Sequence, residues 1–238
     1  MQRLDKILSE AGIASRKELR QMIRAGRVCV NGCCVLAPEE KYDEQTAVIT
    51  VDGELIGKRR TVVLMLHKPA GYITATEDAN QPTVMELIPE KYRKMFVVPV
   101  GRLDKETEGL LLFTNDGDLI HRILAPKNDV WKTYYARHDG EATAEDVRCF
   151  AEGITVNGGL QCLPAKLTPL GPGESEICVR EGKYHQVRRM MAARNMKIRY
   201  LRRIQEGNLK LGDLPLGEVR EIDPAEIGPQ FGENAQKN

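Results

Sequence analysis

The residue in this sequence with the clearest chemical potential is Asp104, which lies at the centre of a polar loop between two apolar runs. Residues 97–100 and 110–113 suit buried strands, and Gly101 and Gly109 bracket the loop between them. A loop held between two strands can present a carboxylate as a nucleophile or a base. Spacing alone, however, favours a plainer interpretation of Asp104 as a turn former or a solvated charge.

The motif around Asp104 resembles the signature of a known enzyme family. Residues 101–104, GRLD, followed by residues 107–112, TEGLLL, are similar to a motif of the RNA pseudouridine synthases that modify ribosomal RNA. The branch in question contains the type A enzyme of the small subunit, together with the type B, E and F enzymes of the large one. In that family the Asp of this motif is the catalytic residue. The resemblance therefore implies a catalytic role for Asp104.

Three other segments carry the same resemblance. Residues 131–135, WKTYY, are similar to the family's K-T-Y strand, whose Tyr lies against the target base, and this implies the same role for Tyr134. Residues 181–190, EGKYHQVRRM, match the family's E-G-R/K-x-H-Q-V-R/K-R-M segment, in which Arg188 is the basic residue of interest. Residues 67–72, HKPAGY, resemble the opening N-K-P-x-G-Y, with His in place of the common Asn. That departure could alter a local hydrogen bond but leaves the catalytic set intact.

The implied reaction is the isomerisation of uridine to pseudouridine, which breaks the N-glycosidic bond, turns the uracil and joins C5 to C1′. No electron leaves and no group is added, so neither a redox cofactor nor a metal is required. Asp104 would act as nucleophile or as base toward the ribose. Arg188 would keep that carboxylate ionised and oriented, since an opposite charge at contact distance favours the ionised form. Tyr134 would stack on the uracil and could assist proton movement at C5.

The resemblance also implies RNA contacts beyond the reacting base. Arg102 would contact RNA near the position that the extruded base leaves, although it could instead form a structural salt bridge. The other expected RNA-binding residues belong to the segment of residues 181–190: Lys183, His185, Gln186 and Arg189. Taken alone, His185 would more often be a structural hydrogen bonder.

The N-terminal residues predict a small α+β module. Apolar residues at helical spacing predict a helix over residues 3–11, and a capping box at residues 15–18 starts a second helix that ends at Gly26. The Asn31-Gly32 pair predicts a type I′ turn in a hairpin. Together these features resemble an S4-type RNA-binding module over residues 1–48. Three cations of the second helix form a row that could face phosphates: Lys17, Arg20 and Arg24.

These features predict a two-domain α+β protein. Residues 1–58 would form the S4-like domain and linker, with a plain charged appendage as the alternative. Residues 59–228 would form the catalytic domain, a mixed and mainly antiparallel sheet with flanking helices, with Asp118 capping a helix that ends at Pro126. Residues 229–238 lack apolar periodicity and would be a disordered tail.

The charge distribution supports a nucleic-acid partner although the net charge is only +1. Residues 1–35 carry seven Lys or Arg against three Asp or Glu, and residues 180–210 carry ten against two. Two basic segments in a nearly neutral chain suggest a basic face opposite an acidic one. Composition, with 42% hydrophobic and 29% charged residues, is typical of a soluble globular protein, and a cytoplasmic monomer is expected.

The six cysteines contain no CxxC pair and no nearby His that would complete a zinc site. Reduced, partly buried thiols are therefore expected, with a metal cluster as the less favoured alternative.

The expected RNA target is one uridine in 16S ribosomal RNA, within a partly assembled small ribosomal subunit. The KYHQV form of residues 183–187 and the WKTY form of residues 131–134 resemble the small-subunit type. Two alternatives stay open at this point: a 23S ribosomal RNA target, and a noncatalytic RNA-binding factor for ribosome assembly.

Overall fold

The computed structural model describes residues 1–44, 46–56, 61–125, 129–223 and 226–228. The predicted boundary at residues 58/59, the helix stop at Pro126 and the tail at residues 229–238 lie outside the described residues. Within the described ranges, none of the helices is both long and apolar enough to cross a membrane.

The N-terminal module has the predicted two helices and hairpin. Its elements are β1 (Gln2–Arg3), α1 (Leu4–Glu10), α2 (Arg16–Arg24), β2 (Val28–Val30), β3 (Cys33–Cys34), β4 (Lys41–Tyr42), β5 (Ile49–Val51) and β6 (Glu54–Leu55). The predicted capping box forms, because the Ser15 hydroxyl accepts a bond from the Glu18 amide and the Glu18 carboxylate accepts one from the Ser15 amide. A four-stranded sheet in the order β3-β2-β5-β6 packs on the helices around a separate apolar core.

The hairpin between β2 and β3 turns at Asn31 and Gly32, whose φ angles of 51° and 81° agree with the type I′ prediction. The expectation that all cysteines are reduced is wrong at this hairpin, where a disulfide joins Cys29 to Cys34. The two residues are direct partners in the β2–β3 register, so the turn itself brings them together. The other four cysteines are free thiols.

The second domain is built on one large sheet. Its elements are β7 (Val63–Lys68), a 3₁₀ turn (Val84–Leu87), α3 (Glu90–Arg93), β8 (Val98–Val100), β9 (Glu108–Thr114), α4 (Gly117–Leu124), β10 (Lys132–His138), α5 (Ala144–Glu152), β11 (Thr155–Val156), β12 (Leu160–Gln161), β13 (Lys166–Gly171), β14 (Glu174–Val179), α6 (Gln186–Ala193), β15 (Ile198–Glu206), β16 (Leu209–Lys210) and β17 (Val219–Ile222). Strands pair in the order β13-β14-β10-β15-β9-β7-β17, with β16 on β15 and β8 on β9.

The sheet is mixed and mainly antiparallel, as predicted, since β9 and β15 form its parallel pair and its other strand pairs are antiparallel. Alternate residues of β7 and β9 enter two different apolar clusters, one on each face of the sheet. Both strands are therefore covered on both sides, which explains their continuous apolar sequence.

Helix α4 begins differently from the prediction. Asp116, rather than Asp118, is the N-cap, and its carboxylate accepts bonds from the amides of Asp118 and Leu119. Asp118 lies within the first helical turn, where its negative charge still favours the helix N-terminus.

Gly109 sets the close approach of the two parallel strands. It lies within β9 opposite Arg203 of β15, with a φ of 111°. A Cβ atom at this position would lie 2.2 Å from the Arg203 carbonyl oxygen, a distance that no side chain can tolerate. Glycine therefore allows β15 to reach the strand that follows the Asp104 loop.

Candidate active site

The loop that carries Asp104 connects β8 to β9 and is anchored at its centre by Leu103. The Leu103 side chain is buried in the main core. Its backbone amide and carbonyl both bond to the hydroxyl of the buried Thr74, at 3.1 and 2.8 Å. A further turn bond joins the Thr107 amide to the Asp104 carbonyl at 3.0 Å. The backbone on both sides of Asp104 is thus held before any ligand binds.

Lys68 holds the same loop from below. It is the last residue of β7 and its side chain is fully buried. Its ammonium donates to the carbonyl oxygens of Pro69, Asp104, Lys105 and Thr107 at 2.9–3.2 Å. One buried cation therefore ties three carbonyls of the Asp104 loop to the end of a central strand.

Burial lowers the pKa of Lys68 to about 8, against the opposing effect of three nearby carboxylates, those of Glu106, Glu108 and Asp104. At neutral pH the ammonium form still dominates, so three N–H bonds are available to the four carbonyls. The sequence motif contained Lys68, but no role was predicted for it. A lysine at the end of a strand whose first four residues are apolar was the available signal.

Asp104, Tyr134 and Arg188 line one cavity of about 510 Å³, together with Arg102, Lys183, His185 and Gln186. The three predicted catalytic residues, which are far apart in sequence, are therefore neighbours in space. The cavity volume is in the range of small-molecule binding sites.

The side chain of Asp104 is 33% exposed and faces His185, whose Nε2 lies 3.5 Å from Oδ1. The expected ion pair with Arg188 is not formed. Instead, the Arg188 guanidinium donates to the carbonyl oxygen of Glu106 at 3.3 Å and reaches the Thr107 hydroxyl at 3.5 Å. The imidazole of His185 is the group next to the Asp104 carboxylate, whereas the Arg188 guanidinium contacts the backbone two residues further along the loop.

Tyr134 forms the buried side of the cavity, with 9% of its surface exposed. Burial raises the pKa of its phenol, while the nearby Arg203 guanidinium acts in the opposite direction. Arg203 is itself buried, donates to the Leu110 carbonyl at 2.8 Å and pairs with Glu206 at 3.2 Å. The phenol therefore stays protonated next to a fixed positive charge.

Arg203 and Glu206 were not predicted from the sequence. Strand alternation offered a signal for Arg203, because it shares the inward parity of the buried Leu201 in β15. A charged residue at such a position requires a buried partner, which Glu206 supplies.

The residues predicted to bind RNA fall into two groups. Arg102 is exposed and pairs with no carboxylate among the described residues, and Lys17 and Arg24 are likewise exposed. Arg20 is also exposed but its Nε lies 3.3 Å from the carboxylate of the buried Asp5.

The other group makes internal contacts in the structure. Lys183 donates to the Gln161 carbonyl at 2.6 Å and Arg189 donates to the Asn157 carbonyl. Gln186 is buried and donates to Glu181 at 3.0 Å. Lys183 and Arg189 thus tie the turn and α6 to the segment of residues 157–161, and Gln186 braces the turn that lines the cavity.

His67, which stands where the resembled family commonly has Asn, is buried. Its Nδ1 lies 2.7 Å from the Leu214 carbonyl oxygen. Because a carbonyl only accepts, Nδ1 carries the proton. The departure from the family's Asn therefore lies at a hydrogen bond outside the cavity lining.

Within the described part of the chain, no three His, Cys, Asp or Glu side chains are grouped as a metal site would require. What the cavity offers chemically is a partly exposed carboxylate, a protonated buried phenol and a rim of cations. Such a set can bind an anionic strand and act on a sugar or base within it.

Comparisons with known proteins show the family to which the chain belongs. A family profile described as RNA pseudouridylate synthase matches residues 62–193, and an S4 domain profile matches residues 2–48. The chain is 39% identical over 230 residues to the uncharacterized RNA pseudouridine synthase YtzG of Bacillus subtilis, covering 94% of this chain and 96% of that protein. It is 33% identical to the ribosomal large subunit pseudouridine synthase B of the same organism, covering 95% and 94%. A crystal structure of a pseudouridylate synthase aligns with a TM-score of 0.68 at 32% identity, covering 95% and 98%.

The bonds from the Lys68 ammonium to the Asp104 loop predict what happens when that cation is removed. In Lys68→Met, each of the four carbonyls loses the bond from the ammonium, so amide hydrogen exchange in residues 103–107 should accelerate by at least about tenfold, or about 1.4 kcal/mol of local stability. Exchange in β10 and β14 should change little. The matched control is Lys105→Met, which removes an exposed ammonium from the same loop. Equal exchange in wild type and Lys68→Met would contradict the assigned role of Lys68.

Proposed function

We propose that this chain, which belongs to the RNA pseudouridylate synthase family and carries an S4 domain, isomerises a uridine in ribosomal RNA to pseudouridine. The observation that carries the proposal is the meeting of Asp104, Tyr134 and Arg188 in one cavity. The reaction breaks the bond from uracil N1 to C1′, turns the base and forms a bond from C5 to C1′. The product has the same atoms as the substrate, and the proton that C5 loses is balanced by the proton that N1 gains, so acid–base and nucleophilic groups suffice.

Asp104 is the residue proposed to act on the ribose. As a nucleophile it would bond to C1′ as N1 leaves and be displaced when C5 bonds to C1′. As a base it would remove a ribose proton and return it once C5 has bonded to C1′. His185 lies beside the carboxylate at 3.5 Å and Lys68 fixes the backbone carbonyl of the same residue. Both contacts support a carboxylate that is oriented before RNA arrives.

Arg188 is proposed to orient Asp104 through the loop. Its guanidinium binds the Glu106 carbonyl, so it fixes the segment directly after Asp104 and adds positive charge beside the cavity. This replaces the direct ion pair that the sequence predicted, while keeping Arg188 in the catalytic set.

Tyr134 is proposed to stack on the uracil and to assist proton transfer at C5. Its ring borders the cavity, and its protonated phenol lies beside the buried Arg203. A protonated phenol can donate or relay a proton, whereas a phenolate cannot donate one.

The target base must leave its stack to enter the cavity, which costs a few kcal/mol. Arg102, exposed at the cavity rim, is proposed to contact the RNA near the vacated position and so offset part of that cost. Lys183, His185, Gln186 and Arg189 would contribute by shaping the wall that the RNA meets.

The first test removes the charge of the proposed catalytic carboxylate. Asp104→Asn keeps the size of the side chain, so folding and RNA affinity should stay near wild type while pseudouridine formation becomes undetectable. Glu106→Gln is the matched control, since it removes an exposed charge from the same loop and should keep activity within about threefold. Substantial turnover by purified Asp104→Asn would refute the catalytic assignment.

The same assay addresses the noncatalytic alternative. A binding or assembly factor would need none of Asp104, Tyr134 and Arg188 as a set. Tight binding of ribosomal RNA by the wild-type protein with no pseudouridine formed would favour that alternative.

Within ribosomal RNA, we propose that the target is one uridine of 16S RNA in a partly assembled small ribosomal subunit. The support is the KYHQV and WKTY forms of residues 183–187 and 131–134. A 23S target is the second candidate, because two relatives at 33% identity are named ribosomal large subunit pseudouridine synthase B.

A gene deletion separates the two targets. Pseudouridine mapping of total ribosomal RNA should show one 16S site lost and every 23S site retained, and a plasmid copy of the wild-type gene should restore the lost site. Loss of a 23S site with 16S intact would overturn the choice.

The basic row of α2 is proposed to bind RNA phosphates, with an unequal contribution from its members. Lys17 and Arg24 are exposed, whereas Arg20 already pairs with Asp5. Each phosphate that the protein neutralises contributes about 0.7 to 0.9 to the slope of log affinity against log salt. Replacing both Lys17 and Arg24 with Ala should therefore lower that slope by about 1.4 to 1.8, and Arg20→Ala should lower it less. An unchanged slope in the double variant would mean that this row does not face RNA.

A further inference from the structure

We propose that Tyr184 is a stacking platform for an unpaired nucleobase adjacent to the target uridine in the RNA strand. The inference rests on the proposed function, because it takes the cavity beside Asp104 as the site of the reacting uridine. No sequence pattern assigned a role to Tyr184, and it does not belong to the proposed catalytic set.

Tyr184 presents an aromatic ring to solvent at the cavity rim. The residue is 76% exposed and lines the cavity. Its ring stacks on the His185 imidazole, with centroids 3.9 Å apart and ring planes 15° apart. One ring face is thus covered, and the high exposure leaves the other face open. A single exposed aromatic is common on protein surfaces, so the position of this ring relative to the carboxylate decides its significance.

Tyr184 is linked to Asp104 through His185, which lies between the two side chains. His185 Nε2 lies 3.5 Å from the Asp104 carboxylate, and Tyr184 stacks on the same imidazole. A cavity of about 510 Å³ is in the range that holds one small-molecule ligand. A cavity of this size has room for one extruded nucleotide, so the neighbouring nucleotides lie outside it, and Tyr184 is found at its rim.

The platform is held in place before RNA binds. His185 has a left-handed backbone conformation, with φ of 50°. The next residue, Gln186, is buried; it donates to Glu181 at 3.0 Å and accepts a bond from the Lys183 amide at 3.2 Å. A turn fixed in this way loses little further entropy when a base stacks on it.

The surrounding charges favour a nucleic-acid strand as the occupant. Four cations line the same cavity as Tyr184, namely Arg102, Lys105, Lys183 and Arg188, against the two carboxylates of Asp104 and Glu181. Lys183 pairs with Glu181, and the other three cations remain in excess over Asp104. Cations suit the phosphates on either side of a base, and every nucleobase has a π face, so the platform would accept any base. The opposite face of the sheet carries two other aromatic residues, Tyr135 and Tyr200, with Arg202 and Arg137 over their rings. That face is a weaker candidate for base stacking, because Glu174 and Glu108, which contact the two tyrosine hydroxyls, offset the positive charge.

The test measures binding of the full-length protein to a fluorescein-labelled 12-nucleotide oligouridylate by anisotropy. Tyr184→Ala should raise Kd by about 5- to 150-fold, which corresponds to about 1–3 kcal/mol per stacked base. Tyr184→Phe keeps the ring and should stay within about twofold of wild type. Phe96→Ala is the matched control, because Phe96 is a 53% exposed aromatic outside the cavity lining.

With ribosomal RNA as substrate, Tyr184→Ala should raise KM with kcat within about threefold.

Wild-type Kd in Tyr184→Ala would overturn the proposal, and so would an equal loss in Tyr184→Phe, which would assign the effect to the hydroxyl. Failure of the proposed function would look different: the wild-type protein would form no pseudouridine, while Tyr184→Ala would still lose affinity for the oligonucleotide.

Discussion

The ammonium of Lys68 is the interaction on which the site depends. It is fully buried at the end of a central strand, and it bonds to four carbonyls, three of them in the Asp104 loop. A buried cation without these acceptors would be strongly destabilising, and without the cation each of the four carbonyls would lose one donor, although the Asp104 and Lys105 carbonyls would keep backbone amide donors. Lysine and loop therefore require each other, which fixes Asp104 relative to the sheet.

The remaining parts of the site are placed by the same sheet. Gly109 lets β15 approach β9, and β15 then brings the buried Arg203 beside Tyr134 of β10. The loop supplies a partly exposed carboxylate, and the strands supply a buried phenol next to a fixed charge. The partly exposed Asp104 carboxylate and the buried Tyr134 phenol thus face one cavity. This pair suits a reaction that needs a nucleophile or base and also a proton carrier.

Sequence patterns predicted the features whose signals are local. The Asn31-Gly32 turn, the Ser15–Glu18 capping box and the mainly antiparallel sheet are confirmed. The roles of Lys68 and Arg203 were not predicted, because their hydrogen-bond partners are distant in the sequence. The loop carbonyls lie 36 to 39 residues from Lys68, and the Leu110 carbonyl lies 93 residues from Arg203. The direct ion pair of Arg188 with Asp104 was wrong for a related reason: a motif specifies which residues meet, whereas the geometry of α6 decides which atoms touch.

The most direct test of the account is the conversion of uridine to its isomer. Purified protein is incubated with ribosomal RNA from a strain that lacks the gene, with no cofactor added, and the nucleosides are quantified by liquid chromatography and mass spectrometry. The account predicts that the loss of uridine equals the gain of pseudouridine, at one site, with no change in total mass. Uridine that stays unconverted while the RNA is bound would contradict it.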